Sequence, residues 1–313
     1  MGSSASPSGS QSWTNARACL IHQLVKQTLI QHFLMKRYIT LLALGLACAI
    51  LVAGYGVASA QESRALTPLQ REIEKQRVLL ASSDVEARRD ALIRLGNLHR
   101  AASSRVAATG LTDPLPIIRA TAAHSILSLP VDEAIAGLLP LLNDKQEFVR
   151  QQVAYALGET HSDRAVAALA NIMAGDKENS VRGAAAVALG EIGDAAAVLS
   201  LTAILDPGGA AAIPGKKQKA KSKTENEFVA RAAARSLGQI GSRQGVASLT
   251  RVLAEEINPG DLRREAATAL GLIGDSAAVP ALRSVLGSED PHLARTAQEA
   301  LERIARRSNR QGM

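Results

Sequence analysis

The chain has very few aromatic residues and, past its first sixty positions, no cysteine. Aromatics make up 2 % of the 313 residues, and beyond residue 60 only Phe148, Tyr155 and Phe228 remain. A core without rings is built from Ala, Leu, Val and Ile, which suits closely packed short helices better than a sheet. Cys19 and Cys48 both lie in the leading region, so the body offers no thiol for a disulfide, a zinc site or a nucleophile. Acid is missing at the front: residues 1–60 hold Arg17, Lys26, Lys36 and Arg37 but no Asp or Glu. The formal charge of +7 is therefore unevenly spread; those four aside, 32 Lys and Arg face 29 Asp and Glu. No phosphate loop, nucleophile elbow or other catalytic signature occurs. The expectation is a protein that is not an enzyme and needs no cofactor.

What is present begins with a leader. Residues 1–34 are rich in Ser, Gln and His and read as a non-native or disordered extension. From Met35 the pattern changes: Lys36 and Arg37 precede an apolar run from Ile39 to Val57, and Ala58-Ser59-Ala60 is a small-x-small cleavage pattern before Gln61. Residues 35–60 resemble a bacterial secretory signal peptide, cleaved between Ala60 and Gln61, which sends the body to the periplasm or outside the cell. The alternative is an uncleaved anchor in the cytoplasmic membrane through residues 38–60, since about 20 apolar residues span a bilayer. Either way Lys36 and Arg37 keep the N-terminal side in the cytoplasm and the body outside it.

Thr67-Pro68 reads as a helix start, with Thr as N-cap and Pro at the first helical position. Leu69, Ile73 and Leu79 or Leu80 make residues 61–83 an amphipathic lead-in. Residues 84–307 then repeat. The units align on Gly96, Ser128, Gly158, Gly190, Gly238, Gly271 and Glu302, separated by 32, 30, 32, 48, 33 and 31 residues. A period near 32 with one excess marks stacked two-helix units carrying a single insertion. The first helix of a unit buries Val149, Val153 and Leu157, then Val181, Ala185 and Leu189, with Val229, Ala233, Leu237 and Leu262, Ala266, Leu270 following. The second buries Val198, Leu201, Ile204 and Leu205 and their counterparts. Neither stripe is covered unless the units stack, because a helix of about 12 residues is marginal alone. The expected fold is all-α: a solenoid of about seven stacked two-helix repeats.

The glycine pairs Gly190/Gly193, Gly238/Gly241 and Gly271/Gly274 are expected at the turns, where φ > 0 suits glycine. Ser162, Asp194, Ser242 and Asp275 are expected to cap the second helix or a turn leading into it. The unit at 113–142 carries Pro130 and Pro140 and should be irregular. Residues 207–226 are the insertion, a flexible Lys-rich loop by composition, and 308–313 a disordered tail.

The pattern Val181-Arg182, Ala185-Ala186, Ala188-Leu189-Gly190, Ile192-Gly193-Asp194, Ala197-Val198 resembles HEAT repeats, specifically the HEAT-like repeats named after phycobilisome lyases. The resemblance covers about residues 84–305. It implies that Arg88, Arg150, Arg182 and Arg263 bond Asp residues of adjoining turns, with Asp194 and Asp275 among them, as a structural ladder. It also implies that the second helices line a concave surface that holds another protein or peptide, through Asn171, Thr202, Thr250, Arg251, Arg283 and Ser284. Lys216, Lys217, Lys219, Lys221 and Lys223 of the insertion are a candidate contact for anions or acidic lipid. No aromatic is interleaved with them for base stacking, so nucleic acid is not expected.

Some HEAT-repeat proteins bind iron through His-Glu pairs. Here His99, His124, His161 and His292 are followed by Arg, Ser, Ser and Leu, and His161 with Glu159 is the nearest approach. No metal ligand is expected. The favoured function is a non-catalytic protein-interaction scaffold of the bacterial cell envelope. The alternative is an enzyme or enzyme accessory of the bilin-lyase or HEAT-repeat hydroxylase kind.

Overall fold

The computed structural model describes residues 66–206 and 227–311, together with Met35. The leader and the insertion therefore lie outside the described residues, as do 312–313, whereas residues 308–311 of the expected disordered tail are helical. From Pro68 onward the chain forms one compact unit. The described residues hold fourteen α-helices and no strand. They are α1 (Pro68–Leu80), α2 (Val85–Asn97), α3 (Ala101–Ala107), α4 (Pro116–Ser125), α5 (Val131–Leu138), α6 (Glu147–Glu159) and α7 (Val166–Gly175). After these come α8 (Asn179–Ile192), α9 (Val198–Leu205), α10 (Glu227–Ile240), α11 (Val246–Ala254), α12 (Gly260–Ile273), α13 (Val279–Ser284) and α14 (Pro291–Gln311).

The first helices α2, α4, α6, α8, α10, α12 and α14 stack on one another in order, and the second helices α3, α5, α7, α9, α11 and α13 fill the other layer. Lead-in helix α1 packs against α2 and α3 and covers the open end. The last unit is the single long helix α14, whose Leu293, Ala297, Ala300 and Ile304 are buried while the opposite face is polar. The chain is thus an α-solenoid. Its core is one continuous cluster, running through Leu95, Ile126, Leu157, Leu189, Leu237 and Leu270 of the first layer and Leu138, Leu169, Leu201, Leu249 and Leu282 of the second.

Two kinds of glycine hold the stack together. Gly193, Gly241 and Gly274 have φ of 75°, 71° and 72° and end their helices in the left-handed region. Gly190, Gly238 and Gly271 do not share that conformation; they lie inside the first helices, where the reason for glycine is proximity. A Cβ at the equivalent Gly158 would sit 2.8 Å from the Ala188 Cα of the next helix. The Gly–Ala contact lets stacked helices approach closely.

The turn inside each of four units is one turn of 3-10 helix, capped by Ser162, Asp194, Ser242 or Asp275, whose side chain accepts from the backbone N–H two residues on. In the unit at 113–142, α4 stops at Ser125 and α5 runs into a 3-10 turn, Leu139–Asn143, that contains Pro140. The Arg positions set this unit's register. Arg88, Arg119 and Arg150 are 31 residues apart, so the residue equivalent to Gly96 is Leu127 and not Ser128.

Candidate functional site

Three surfaces bear on function: the ladder in the turns, the outer side of the second helices, and the outer side of the first helices.

The ladder is built by aspartates in the turns between units. Asp113, Asp144 and Asp176 each accept the backbone N–H two residues on, at 2.8, 2.9 and 2.9 Å, which shapes the entry to the following first helix. The same carboxylates accept from an arginine of the preceding unit. Arg119 grips Asp144 at 2.7 and 2.9 Å, Arg150 grips Asp176 at 2.7 and 2.9 Å, and Arg88 reaches Asp113 at 3.1 Å. Each arginine also donates to a carbonyl of its own turn, Ser82, Asp113 or Asp144. Hydrogen bonds from Arg119 hold the Asp144 carboxyl below the usual carboxylate range. Burial pushes Asp176 upward, but the bonds from Arg150 and the Glu178 N–H outweigh it and leave this carboxyl low as well. Arg119 falls out of the repeat pattern when its unit is aligned on Ser128, one residue past the true equivalent Leu127.

The pattern changes further along. Arg182 Nε donates to the Met173 carbonyl and Arg263 Nε to the Leu253 carbonyl, both at 2.9 Å. Burial lowers the proton affinity of Arg182, and Asp176 opposes this. Asp194 and Asp275 stand outside the ladder position and cap their own units by accepting from Ala196 N and Ala277 N; Asp275 also pairs with Arg243 of the preceding unit at 3.3 Å. The turn position that carries aspartate in the ladder holds Ser288 opposite Arg263, and its hydroxyl accepts from Asp290 N at 3.2 Å.

On the second helices, Asn171, Arg251, Arg283 and Ser284 are exposed. Arg251 pairs with Asp206 at the end of α9, and the Ser284 hydroxyl donates to the Ala281 carbonyl. Thr250 is half-buried, and its Oγ1 is enclosed with no hydrogen-bond partner among the described residues. Thr202 does not belong to the surface. It is 4 % exposed and its hydroxyl donates to the Leu199 carbonyl at 2.9 Å. The four candidates that remain exposed are scattered over α7, α11 and α13, and Lys216, Lys217, Lys219, Lys221 and Lys223 lie outside the described residues.

The first helices carry the feature that the sequence reading missed. A groove of about 590 Å³ runs along α4, with α2 and α6 as its walls. Ala120, Ser125 and Leu127 lie at its floor, while Ile93 and Phe148 stand on the walls at 42 % and 43 % exposure. Arg89, Asn97, Thr121, His124, Gln152 and Glu159 supply the polar lining. His124 bridges to the α6 wall: Nδ1 is 3.2 Å from Glu159 Oε1 and Nε2 is 3.1 Å from Gln152 Oε1. His161, beyond the end of α6, lies instead with Nδ1 2.9 Å from the Glu191 carbonyl. Among the described residues, no cluster of three or more His, Cys, Asp or Glu is placed to hold a metal ion, and no helix is long and apolar enough to cross a membrane. The signal for the groove was the apolar Ile93 and Phe148 off the buried stripes of their helices.

Sequence comparison identifies the repeats. Residues 135–212 and 257–311 match the model for HEAT repeats, and residues 229–255 match the PBS lyase HEAT-like repeat. The chain belongs to the HEAT-repeat family. No curated protein matches the chain in sequence. Among solved structures it is similar to the karyopherin Kap121p bound to the extreme C-terminus of the protein phosphatase Cdc14p. That match has a TM-score of 0.52 at 13 % identity and covers 79 % of this chain and 31 % of that one. It is also similar to the CpcE–CpcF complex of phycocyanin lyase from Nostoc, with a TM-score of 0.44 and 23 % identity over 80 % and 95 % of the two chains. Human deoxyhypusine hydroxylase in complex with glycerol gives 0.37 and 17 % over 75 % and 96 %.

Proposed function

We propose that the protein is a non-catalytic interaction scaffold that holds a segment of another protein against its first-helix layer. The groove between α2 and α6 carries this reading. It combines exposed apolar walls with amide, hydroxyl and imidazole groups on a rigid stack of helices, the mixture that recognises chain segments. The second-helix strip, where the family resemblance puts the partner, retains four exposed candidates on three helices, of which Arg283 lines a separate hollow with Val279 and Leu286. The Met35–Ala60 pattern supports placing the scaffold in the periplasm or on the outer face of the cytoplasmic membrane. An N-terminus at Gln61 in the mature protein supports export with cleavage; a chain retaining residues 35–60 supports the anchored form.

A photo-crosslinking residue at Phe148 and another at Ser284, in separate variants expressed in the native cell, test the reading. A partner captured from Phe148 and not from Ser284 supports it. Capture from Ser284 alone moves the partner to the second-helix layer, and capture from neither removes the scaffold reading. Metal and chromophore analysis of the purified protein addresses the enzyme alternative, since a lyase or hydroxylase of this architecture would carry one or the other. Deletion of residues 210–223 followed by polyanion and lipid sedimentation tests the lysines of the insertion.

A further inference from the structure

Where the ladder lacks its aspartate, the turns open into a second hollow, apart from the groove. Ser288 stands three residues before α14, as Asp113, Asp144 and Asp176 stand three before α4, α6 and α8. It therefore holds the position from which a carboxylate would meet Arg263, and serine brings no charge there. The hollow has a volume of about 730 Å³, a size that takes a small ligand, and Arg263, Ser284, Gly287 and Ser288 line it. A Cβ on Gly287 would meet nothing within 4 Å, so the backbone on that side stands clear.

The donors of this hollow are unused. Arg263 is half-buried, and among the described residues its side chain makes one hydrogen bond, from Nε to the Leu253 carbonyl at 2.9 Å. Both Nη groups, with four of the guanidinium's N–H donors, have no partner there. In Arg119 and Arg150 the same position grips a carboxylate through Nε and Nη2, at 2.7 and 2.9 Å. The Ser288 hydroxyl accepts from Asp290 N at 3.2 Å, and its own proton reaches no described acceptor. A planar guanidinium and a free hydroxyl on one hollow suit a carboxylate.

The acids around it restrict the rest of the ligand. Asp290 is paired with Arg264. Glu256 and Glu289 are exposed, line the same hollow and pair with no described cation. A second negative charge on the ligand would meet these two glutamates and be repelled, whereas a positive one would be attracted.

We propose that the hollow binds a zwitterion. Arg263 and the Ser288 hydroxyl hold its carboxylate in place of the missing ladder aspartate, and its cationic group lies toward Glu256 and Glu289. A free basic amino acid and the basic C-terminal end of a protein chain share this chemistry. The probes are Nα-acetyl-lysine, its C-terminal amide and Nα-acetyl-norleucine, titrated calorimetrically into the intact protein. Acetyl-lysine should bind at least tenfold more tightly than the amide, which lacks the carboxylate, and than acetyl-norleucine, which lacks the cation. Arg263→Gln should abolish binding. Ser288→Asp should abolish it too, by supplying the carboxylate from within, with circular dichroism unchanged and no fall in melting temperature. Glu256→Gln with Glu289→Gln should leave acetyl-lysine no tighter than acetyl-norleucine. Free lysine and the tripeptide acetyl-Ala-Ala-Lys separate the sources. Tighter binding of lysine supports a free amino acid as the ligand, and tighter binding of the tripeptide supports a chain end. Absence of acetyl-lysine binding, equal binding of the amide or of acetyl-norleucine, or binding that survives Ser288→Asp overturns the proposal. Each of these results leaves the scaffold reading standing, because none of the four mutated side chains lines the groove.

Discussion

The first three units and the last three use the same repeat but staple it differently. In the first three, Arg88, Arg119 and Arg150 reach forward to an aspartate in the next turn, and the Arg150–Asp176 side chains are only 8 % and 5 % exposed. In the last three, α10 has Ala230 at that position and Arg263 turns back to a carbonyl. The ion pairs between first helices there lie on the outer side, as Arg231–Asp261, Arg235–Glu265 and Arg264–Asp290, while Arg243–Asp275 joins two turns. Arg235 and Glu265 stand at the positions that hold His124 and Gln152 in the groove. A charged bridge thus crosses the outer face of the later units, where the earlier ones leave an open trough. Moving the staple from the turn to the face decides which units keep an open trough.

The largest effects should not distinguish the two regions, because the core is common to both. Leu138 and Leu201 are fully buried in the second layer, so Leu138→Asp and Leu201→Asp should each cost about 4 kcal/mol through an unpaired buried charge. Equivalent losses in chemical denaturation are expected; an unchanged curve for either would refute the register given for its helix.

The ladder should separate them. Arg150→Ala strands the buried Asp176 carboxylate and should cost about 3 kcal/mol, whereas Arg263→Ala removes one bond to a carbonyl and should cost about 1 kcal/mol. Equal melting temperatures for the two variants would break the comparison. The sign of the pH dependence follows from the same pairs. Asp144 and Asp176 hold protons less readily folded than unfolded, so their contribution is complete above the ordinary carboxylate value of about 4. It is lost as pH falls through the lower folded values. The gap between wild type and the Asp144→Asn, Asp176→Asn double variant should narrow as pH drops from 5 to 2.5.

A gain is also expected. Ser288→Asp places a carboxylate at the ladder position facing Arg263 and should add about 1 kcal/mol; hydrogen exchange should then slow in α12 and α14. The smallest effect belongs to the outer bridges. Arg235→Ala removes a side chain 56 % exposed and should change stability by less than about 1 kcal/mol. Arg235→His with Glu265→Gln rebuilds the groove's His–Gln pair in the later units, and peptide binding there would sharpen the comparison.

The sequence by itself determined the fold: a spacing near 32, apolar residues at helical spacing on both helices and glycine-capped turns leave stacking as the way to bury every stripe. Local chemistry was legible for the same reason, since Ser162, Asp194 and Ser242 find the N–H groups they cap within two residues. Tertiary structure alone decided everything that depends on the neighbouring unit. It put Gly158 against Ala188, paired Arg119 with Asp144 across 25 residues, and buried Thr202, which its own helix would equally have left in water. It also placed Ile93, His124 and Phe148, from three different repeats, around one groove. Periodicity records which face of a helix is covered, because that face recurs along the chain. It does not record the distance and rotation between successive units, and those set which side chains of separate helices meet.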